Sequence, residues 1–300
     1  MKTFLTLTKR NTKIFFKDKA MFFTSLITPI ILLVLYTTFL AKVFKDSFAT
    51  SLPEGFAISN SLINGFVSGE LISSLLAVCC VTVAFCSNII MVQDKVNGAL
   101  KDFHITPVKK SKLALSYLAS TIITTLIVNF IALVAGLIYI AITGWFMSFL
   151  DVLLLFVDVV LLTCFGSIFS SIINMFLTTN GQASAFGTII SAGYGFICGA
   201  YMPISQFGTG LQTAFSFLPG TYGTALLRNH ALAGAYREMS STGVPTNVLE
   251  RIKDSVDCNI YFFGNKVNIM GMYLILIGSI LVLIGLYVLL GYLKNRKFKV

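Results

Sequence analysis

The chain has 300 residues, of which 56% are hydrophobic and 11% are charged, and its formal net charge is +10. A soluble domain carries about 25% charged residues, and a disordered chain combines low hydrophobicity with high charge, so both classes are excluded. The basic residues lie in short segments between long uncharged runs instead of on one soluble face, so no nucleic-acid partner is expected. The composition predicts an all-α polytopic membrane protein.

Residues 1–19 are predicted to form an amphipathic helix that lies in the plane of the membrane. At about 100° per residue, the apolar residues Phe4, Leu7, Ile14 and Phe15 share one face, and the opposite face would meet anionic lipid. That opposite face carries the basic residues Lys2, Lys9, Arg10, Lys13 and Lys17. A plain cluster of topogenic charge is the alternative interpretation.

Six apolar segments follow, and a helix needs about 20 mostly apolar residues to cross the hydrocarbon core. The 22 uncharged residues between Lys19 and Lys42 provide the first span, and Glu70 and Asp94 bracket 23 more for the second. The turn chemistry of residues 178–181 (TTNG) separates the fourth span from the fifth. The predicted spans are residues 20–41, 66–92, 113–142, 152–177, 181–202 and 267–293.

Residues 203–266 are predicted to be an extracellular loop, in which the Pro- and Gly-interrupted segment 203–227 is re-entrant. With six spans, 15 of the 22 Lys and Arg residues lie on the side of both termini and the 93–112 loop, which makes that side cytoplasmic. A seventh span would move the four C-terminal positive charges outside. We therefore expect a plasma-membrane protein with both termini inside, in which labels applied from outside reach Cys258 and position 54.

The motifs of common catalytic sites do not occur in this sequence. There is no P-loop, HExxH or GxSxG motif, and the cysteines form no metal or disulfide framework, so neither an enzyme activity nor a cofactor on this chain is expected. Asp158 is the acidic residue placed well inside a predicted span. We expect it to reach interfacial water near the outer end, and a cargo or ion site is the alternative.

Small residues recur every fourth position along the predicted fifth span. Such a stripe allows close helix contact in lipid, either within the chain or across a dimer. The stripe consists of Ala183, Gly187, Ser191, Gly195 and Gly199.

The 93–112 loop is the sizeable cytoplasmic loop between predicted spans. Its residues 94–104 mix charge with Leu100 and Phe103, which is typical of a short amphipathic helix. Pro107 would end that helix, because the residue before proline is pushed out of the α region. A solvated connector is the alternative interpretation.

In these features the chain resembles the permeases of ABC-2 type transporters, the membrane subunits of two-component ABC exporters. Their first cytoplasmic loop carries an acidic-basic-x-x-Gly-Thr-Leu-acidic stretch and then a Thr/Ser-Pro pair. Here Ala99 and Lys101 depart from that pattern, and the outer region matches at 202–203 (MP) and 218–222 (LPGTY). The loop positions that align with the pattern, including the departure at Ala99, are Asp94, Lys95, Gly98, Ala99, Leu100, Thr106 and Pro107.

The resemblance implies a type-2 ABC exporter permease fold. It also implies a separate ATPase subunit, which binds ATP and Mg and docks on the 93–112 loop at the matched positions and at Phe103. It also implies a second permease subunit, identical or different, and an outer gate at Pro203, Pro219, Gly220 and Tyr222. Spans two and five would line a cavity for amphipathic or lipid-like cargo such as a drug, an antimicrobial peptide or a glycolipid. A self-contained secondary transporter or channel is the alternative function. The cavity candidates are Ser73, Ser74, Thr82, Asn88, Thr188 and Tyr194.

Overall fold

The computed structural model describes residues 2–36, 38, 41–42 and 59–297. In these ranges the regular secondary structure is helical apart from one short antiparallel hairpin, in agreement with the predicted all-α class. The end of the predicted first span and position 54 lie outside the described residues. The elements are α1 (Lys2–Lys17), α2 (Lys19–Leu35), α3 (Asn60–Val96), α4 (Ala99–Ile105), α5 (Lys110–Thr143), α6 (Phe149–Phe176), α7 (Asn180–Ile197), α8 (Thr209–Ser216), α9 (Pro219–Ser241), α10 (Thr246–Ser255), β1 (Ile260–Phe262), β2 (Asn265–Val267) and α11 (Ile269–Lys297).

Helix α3 is the centre of the fold. It packs against α2, α5, α6, α7 and α9, and 94% of its most apolar stretch is buried. Apolar and small residues occupy all sides of this helix, which is the pattern of a helix surrounded by protein. The end of α3 leads directly into α4, so the central helix sets the position of the following loop.

Among the described residues, four helices are long and apolar enough to cross a membrane, namely α3, α5, α6 and α11. Helices α1 and α2 meet at a bend of 73° and together would make a fifth span. Helix α7 has 18 residues but begins with the polar sequence NGQ. The described chain therefore has four or five candidate spans, and the count of six stays a prediction.

Local side-chain signals divide the long apolar run of the sequence. Helix α6 begins with a capping box, in which the side chains of Ser148 and Asp151 satisfy each other's backbone N–H groups. Helix α7 begins with an equivalent box formed by Thr179 and Gln182. The TTNG turn identified in the sequence lies at the junction of α6 and α7.

The region 203–266 contains three α-helices, which is more helix than the predicted extracellular loop with a re-entrant segment. Its 23-residue helix α9 packs against α3, α6 and α11, and it starts at Pro219, where the missing N–H costs no hydrogen bond.

Two expectations about single residues are corrected by the structure. Cys258, expected to be open to labels, is 1% exposed and lies 3.6 Å from the Tyr236 hydroxyl, so that expectation is wrong. Glu70, interpreted as the edge of a span, lies well inside α3 because Arg228 of α9 pairs with it.

Candidate functional site

Helix α4 occupies the segment between α3 and α5 that the sequence singled out. Gly98 precedes it with φ 81°, a left-handed conformation that glycine adopts without strain. Thr106 follows it in an extended conformation, as expected for a residue before proline, and its hydroxyl donates to the Phe103 carbonyl at 2.7 Å. Two sharp backbone changes therefore delimit this one short helix.

Asp94 is in the last turn of α3 and is 6% exposed. Arg10 of α1 donates to its two carboxylate oxygens at 2.5 and 2.9 Å, and the Tyr117 hydroxyl of α5 donates at 2.5 Å. A bidentate Arg–carboxylate pair is among the stronger hydrogen-bonded contacts in proteins. Asp94 therefore ties α3 to α1 and α5, and in this structure it is not presented to a partner.

Lys95 is also committed within the chain. Its Nζ donates to the carbonyls of Asn174, Met175 and Leu177 at 2.6, 3.1 and 2.8 Å. These carbonyls belong to the end of α6, where the last C=O groups lack helical partners and carry partial negative charge. Lys95 therefore caps α6, and the two charged residues of the motif brace the base of α4.

The outward side of α4 differs from the one expected. Leu100 and Phe103 are partly buried against the core, and the Arg10 guanidinium lies 5.4 Å from the Phe103 ring centroid. The apolar residue that faces outward is Ile105, which is 87% exposed beside the exposed Thr106 and Pro107. Sequence reasoning missed Ile105, although its position five residues after Leu100 places it on another face of the helix.

The four cavity candidates on α3 are buried inside the chain, and their role in lining a cavity stays a prediction. Helices α2, α5, α6, α7 and α9 pack around α3, and most of the polar groups are paired there, although the Asn88 amide oxygen has no hydrogen-bond partner in the described part of the chain. Asn88 donates to the Ser171 hydroxyl at 2.8 Å, and the Ser74 hydroxyl accepts from Arg228 at 3.2 Å. The four residues are Ser73, Ser74, Thr82 and Asn88.

Two apolar cavities flank α7, one on each of two faces. The first, about 510 Å³, lies between α2 and α7 and includes Thr188 and Ser191 in its lining. The second, about 480 Å³, lies between α7, α6 and α11, and includes Tyr194 and the start of α9. The two predicted cavity residues on α7 therefore line different cavities.

The small-residue stripe does not form a packing seam along α7 within the described chain. Ala183 is buried against neighbouring helices, but a Cβ added at Gly187 would meet nothing within 4 Å. Gly195 packs against the ring of Tyr201, and Gly199 lies beyond the end of the helix. Packing of the remaining stripe, with Ser191 at the α2 cavity, against a second copy stays a prediction.

The residues predicted to form an outer gate gather at the corner between α8 and α9, except for Pro203, which precedes a 3₁₀ turn at 204–206. Pro219 and Gly220 begin α9, and the Tyr222 hydroxyl donates to the Ser216 carbonyl of α8 at 2.6 Å. The corner is therefore fastened by a hydrogen bond. Its role as a gate stays a prediction.

Asp158 belongs to a buried polar cluster that joins three helices. One carboxylate oxygen lies 2.6 Å from Nδ1 of His230 in α9, and the other accepts from the Tyr273 hydroxyl of α11 at 2.6 Å. Asp158 is 1% exposed, so the expected access to water is wrong. The two partners satisfy the carboxylate inside the bundle.

A second buried cluster centres on Arg228. Its Nε lies 2.9 Å from the Glu70 carboxylate, its Nη1 lies 3.4 Å from Asp257, and its Nη2 donates to the Gly199 carbonyl at 2.5 Å. Gly199 has φ 77°, and a Cβ there would lie 2.7 Å from an Asp257 oxygen, so this close approach requires glycine. Sequence reasoning missed the cluster, although Arg228 is the first charge after 69 uncharged residues.

Glu250 connects α10 to the hairpin. It accepts hydrogen bonds from Lys266 at 2.5 Å and from Lys253 at 3.1 Å. The bond from Lys266 is the largest cause that lowers the pKa of Glu250 from 4.5 to about 2, and partial burial opposes it. This pairing stabilises the segment between α9 and α11 at neutral pH.

Comparison with protein families gives one match that covers most of the chain. The family model described as ABC-2 type transporter matches residues 2–231, from α1 into α9. The chain belongs to the ABC-2 type transporter family. No curated protein matches the sequence.

Membership makes this chain the membrane permease of an ABC-2 type transporter and not an ATPase. It is a multi-pass membrane protein, and permeases of the ABC-2 family work with ABC ATPase subunits. The matched region of this ABC-2 permease includes α4, α7 and two members of the Arg228 cluster, Glu70 and Arg228 itself, whereas Asp257 lies beyond it. The geometry around α4 and α7 is therefore where a transport mechanism has to be sought.

Proposed function

We propose that this ABC-2 permease is the membrane subunit of an ATP-driven exporter whose separate ATPase subunit docks on the outward side of α4. The observation that carries the proposal is Ile105, an apolar side chain 87% exposed on a helix whose base is fixed by charged contacts. A large exposed apolar side chain at a rigid position is suited to a partner's pocket. ATP and Mg would be held by the partner.

The bracing of α4 supports a role in transmitting force. Asp94 connects the α3 end to α1 and α5, and Lys95 connects it to the end of α6. A displacement of α4 would therefore act on four helices together instead of bending a loose loop. This arrangement supports a role of α4 in coupling the ATPase to the membrane helices more than it supports a solvated connector.

The cavity between α2 and α7 supports a path for amphipathic or lipid-like cargo. Its lining is apolar apart from Thr188, Ser191 and Tyr201, and its volume of about 510 Å³ is in the range of ligand sites. The open space at Gly187 on the same helix suits a second permease subunit that would complete the path. We propose six spans, counting α2 and α7, with both termini cytoplasmic in the plasma membrane.

The test is the Ile105→Asp variant, with Ile105→Leu as the matched control that keeps an apolar side chain. Tagged permease is purified from its own membranes, and bound P-loop proteins are identified by mass spectrometry. We expect Ile105→Asp to insert and fold normally but to lose the ATPase, while Ile105→Leu retains it. Equal retention by both variants would refute docking at Ile105, and cargo movement without any ATPase would favour a secondary transporter.

A further inference from the structure

A small polar cavity lies where α8, α10 and β1 meet, apart from the two apolar cavities that flank α7. Its volume is about 240 Å³, and its lining combines the carboxylates of Asp254 and Asp257 with amide and hydroxyl side chains. Among the described residues that form this lining there is no Lys, Arg or His, although the whole chain has a net charge of +10. A cleft lined by one sign of charge concentrates ions of the opposite sign, so this cavity favours cations.

The cavity lies at the end of α3 that is far from α4. Asp257 in its lining lies 3.4 Å from Nη1 of Arg228, and Nε of Arg228 lies 2.9 Å from the Glu70 carboxylate. Glu70 is in the first third of α3, whereas α4 follows the other end of α3 after Val96. The rise of about 1.5 Å per residue puts roughly 39 Å of helix between Glu70 and Val96. The cavity is therefore separate from the surface proposed for the ATPase.

The two amide side chains in the lining use their N–H groups inside the protein. Gln212 Nε2 donates to two backbone carbonyls at 3.2 and 2.7 Å, and Asn259 Nδ2 donates to the carboxylates of Glu250 and Asp254 at 3.1 and 2.7 Å. These acceptors fix the orientation of both amides, because only the nitrogen of an amide can donate. The amide oxygens of Gln212 and Asn259 have no partner in the described part of the chain. Asn259 is only 8% exposed, so its oxygen is an unpaired acceptor on a nearly buried side chain.

The hydroxyl groups in the lining also donate into the protein. Those of Ser216 and Thr221 donate to backbone carbonyls at 2.8 and 3.0 Å, and that of Tyr261 donates to Oδ1 of Asp254 at 3.0 Å. A hydroxyl that has given its proton can only accept a further hydrogen bond, and the exposed hydroxyl of Ser205 can accept as well. Asp254 makes no ion pair within the described ranges, and its Oδ2 accepts no hydrogen bond there. The side chains of the cavity therefore present acceptors and a negative charge, and a matching ligand has to supply donors and a positive charge.

An alkylammonium group fits these requirements better than a metal ion does. It brings one positive charge and three N–H donors. A calcium ion needs about six to eight oxygen ligands at about 2.3–2.6 Å, and no group of three or more His, Cys, Asp or Glu side chains in the described part of the chain is placed to hold a metal. A cavity of about 240 Å³ also has room for a short carbon chain beside the charged group.

We propose that this cavity binds the primary ammonium group of a small amine, with the Asp254 carboxylate as its ionic partner and the amide oxygens of Gln212 and Asn259 as acceptors. Drug-sized ligand sites have volumes of about 300–1,000 Å³, so this smaller cavity suits an amine of a few carbon atoms. Binding there needs neither the ATPase nor the cargo path.

The probe is n-butylammonium chloride, and its binding to purified full-length permease in detergent is measured by saturation-transfer NMR with the signal of empty micelles subtracted. Tetramethylammonium chloride has the same charge without N–H donors, and 1-butanol has a similar chain without charge. We expect saturable binding of n-butylammonium that is at least about tenfold tighter than that of either control. Equal binding of tetramethylammonium would overturn the proposal, and so would displacement of the amine by submillimolar calcium chloride, which would mean a metal site.

The Asp254→Asn variant removes the charge and keeps an oxygen that can accept from Asn259 and Tyr261. We expect it to bind n-butylammonium about 10- to 100-fold more weakly than the parent, because hydrogen bonds to a charged group are lost. The matched control is Glu238→Gln, which makes the same change of net charge at an exposed position of α9 outside the lining and should leave the affinity unchanged. Unfolding midpoints without probe establish that both variants are folded, and if Asp254→Asn is not, the three probes on the parent decide alone. Parent-like affinity of Asp254→Asn, or an equal loss in both variants, would contradict the site.

Discussion

Replacing Arg228 by methionine removes the positive charge that Glu70 and Asp257 share in the interior. The side chains of Arg228 and Glu70 are each 1% exposed, and that of Asp257 is 5% exposed, so solvent cannot compensate for the loss. Removing one partner of a buried ion pair costs about 3–5 kcal/mol. This is a large part of a typical total stability of about 5–15 kcal/mol.

The matched control is Arg237→Met on the same helix. Arg237 pairs with Asp151, but its side chain is 54% exposed, and surface pairs contribute about 0–1 kcal/mol. Thermal unfolding of purified permease in detergent should show a midpoint lowered by about 5–15 °C for Arg228→Met and by a few degrees at most for Arg237→Met. Equal shifts of the two variants would refute the argument that burial decides the effect.

A double-mutant cycle separates the pair from the surrounding packing. Glu70→Gln with Arg228→Met should be less destabilising than the sum of the single variants by more than about 1 kcal/mol, because the two residues are in direct contact. If the two single destabilisations add within about 0.5 kcal/mol, Arg228 stabilises the fold through its bond to the Gly199 carbonyl instead of through Glu70.

The remaining predictions use the same unfolding assay. Gly195→Leu should lower the midpoint, because overpacking against the Tyr201 ring costs about 1–3 kcal/mol. Gly193→Leu on the same helix has open space within the chain and should not lower it, and the reverse order of the two variants would contradict the packing. Asp158→Asn should destabilise by about 1–3 kcal/mol because it breaks a buried network, and a neutral result would mean that the carboxylate is solvated. Glu250 has a lowered pKa, so its contribution is present above about pH 4.5 and is lost as the pH falls toward 2. Glu250→Gln should therefore flatten the pH dependence of unfolding between these values, and an unchanged slope would rule out this pairing.

The helix boundaries set by local chemistry could be predicted from the sequence. The break after Thr143 and the TTNG turn are encoded by neighbouring residues, a glycine in the first case and a capping box in the second. The α4 helix and its ending at Thr106 follow from amphipathic spacing and from the effect of proline on the preceding residue.

Long-range pairing could not be predicted in the same way. The sequence alone places Glu70 at a span boundary, because an unpaired carboxylate is too costly inside a membrane and its partner Arg228 lies far along the chain. The same reasoning failed for Asp158, whose partner His230 comes from α9. Helix α9 itself could not be predicted from an apolar run, because its composition is only weakly apolar although most of its residues are buried.

The most direct test of the central claim is photo-crosslinking from position 105. The variant Ile105→p-benzoylphenylalanine is illuminated in native membranes, with Phe263→p-benzoylphenylalanine, an exposed residue of the hairpin turn, as the control. Docking of an ATPase on α4 predicts a crosslink between position 105 and a P-loop ATPase, and none from position 263. Crosslinks from position 105 to lipid alone, or an ATPase captured equally from both positions, would contradict the account.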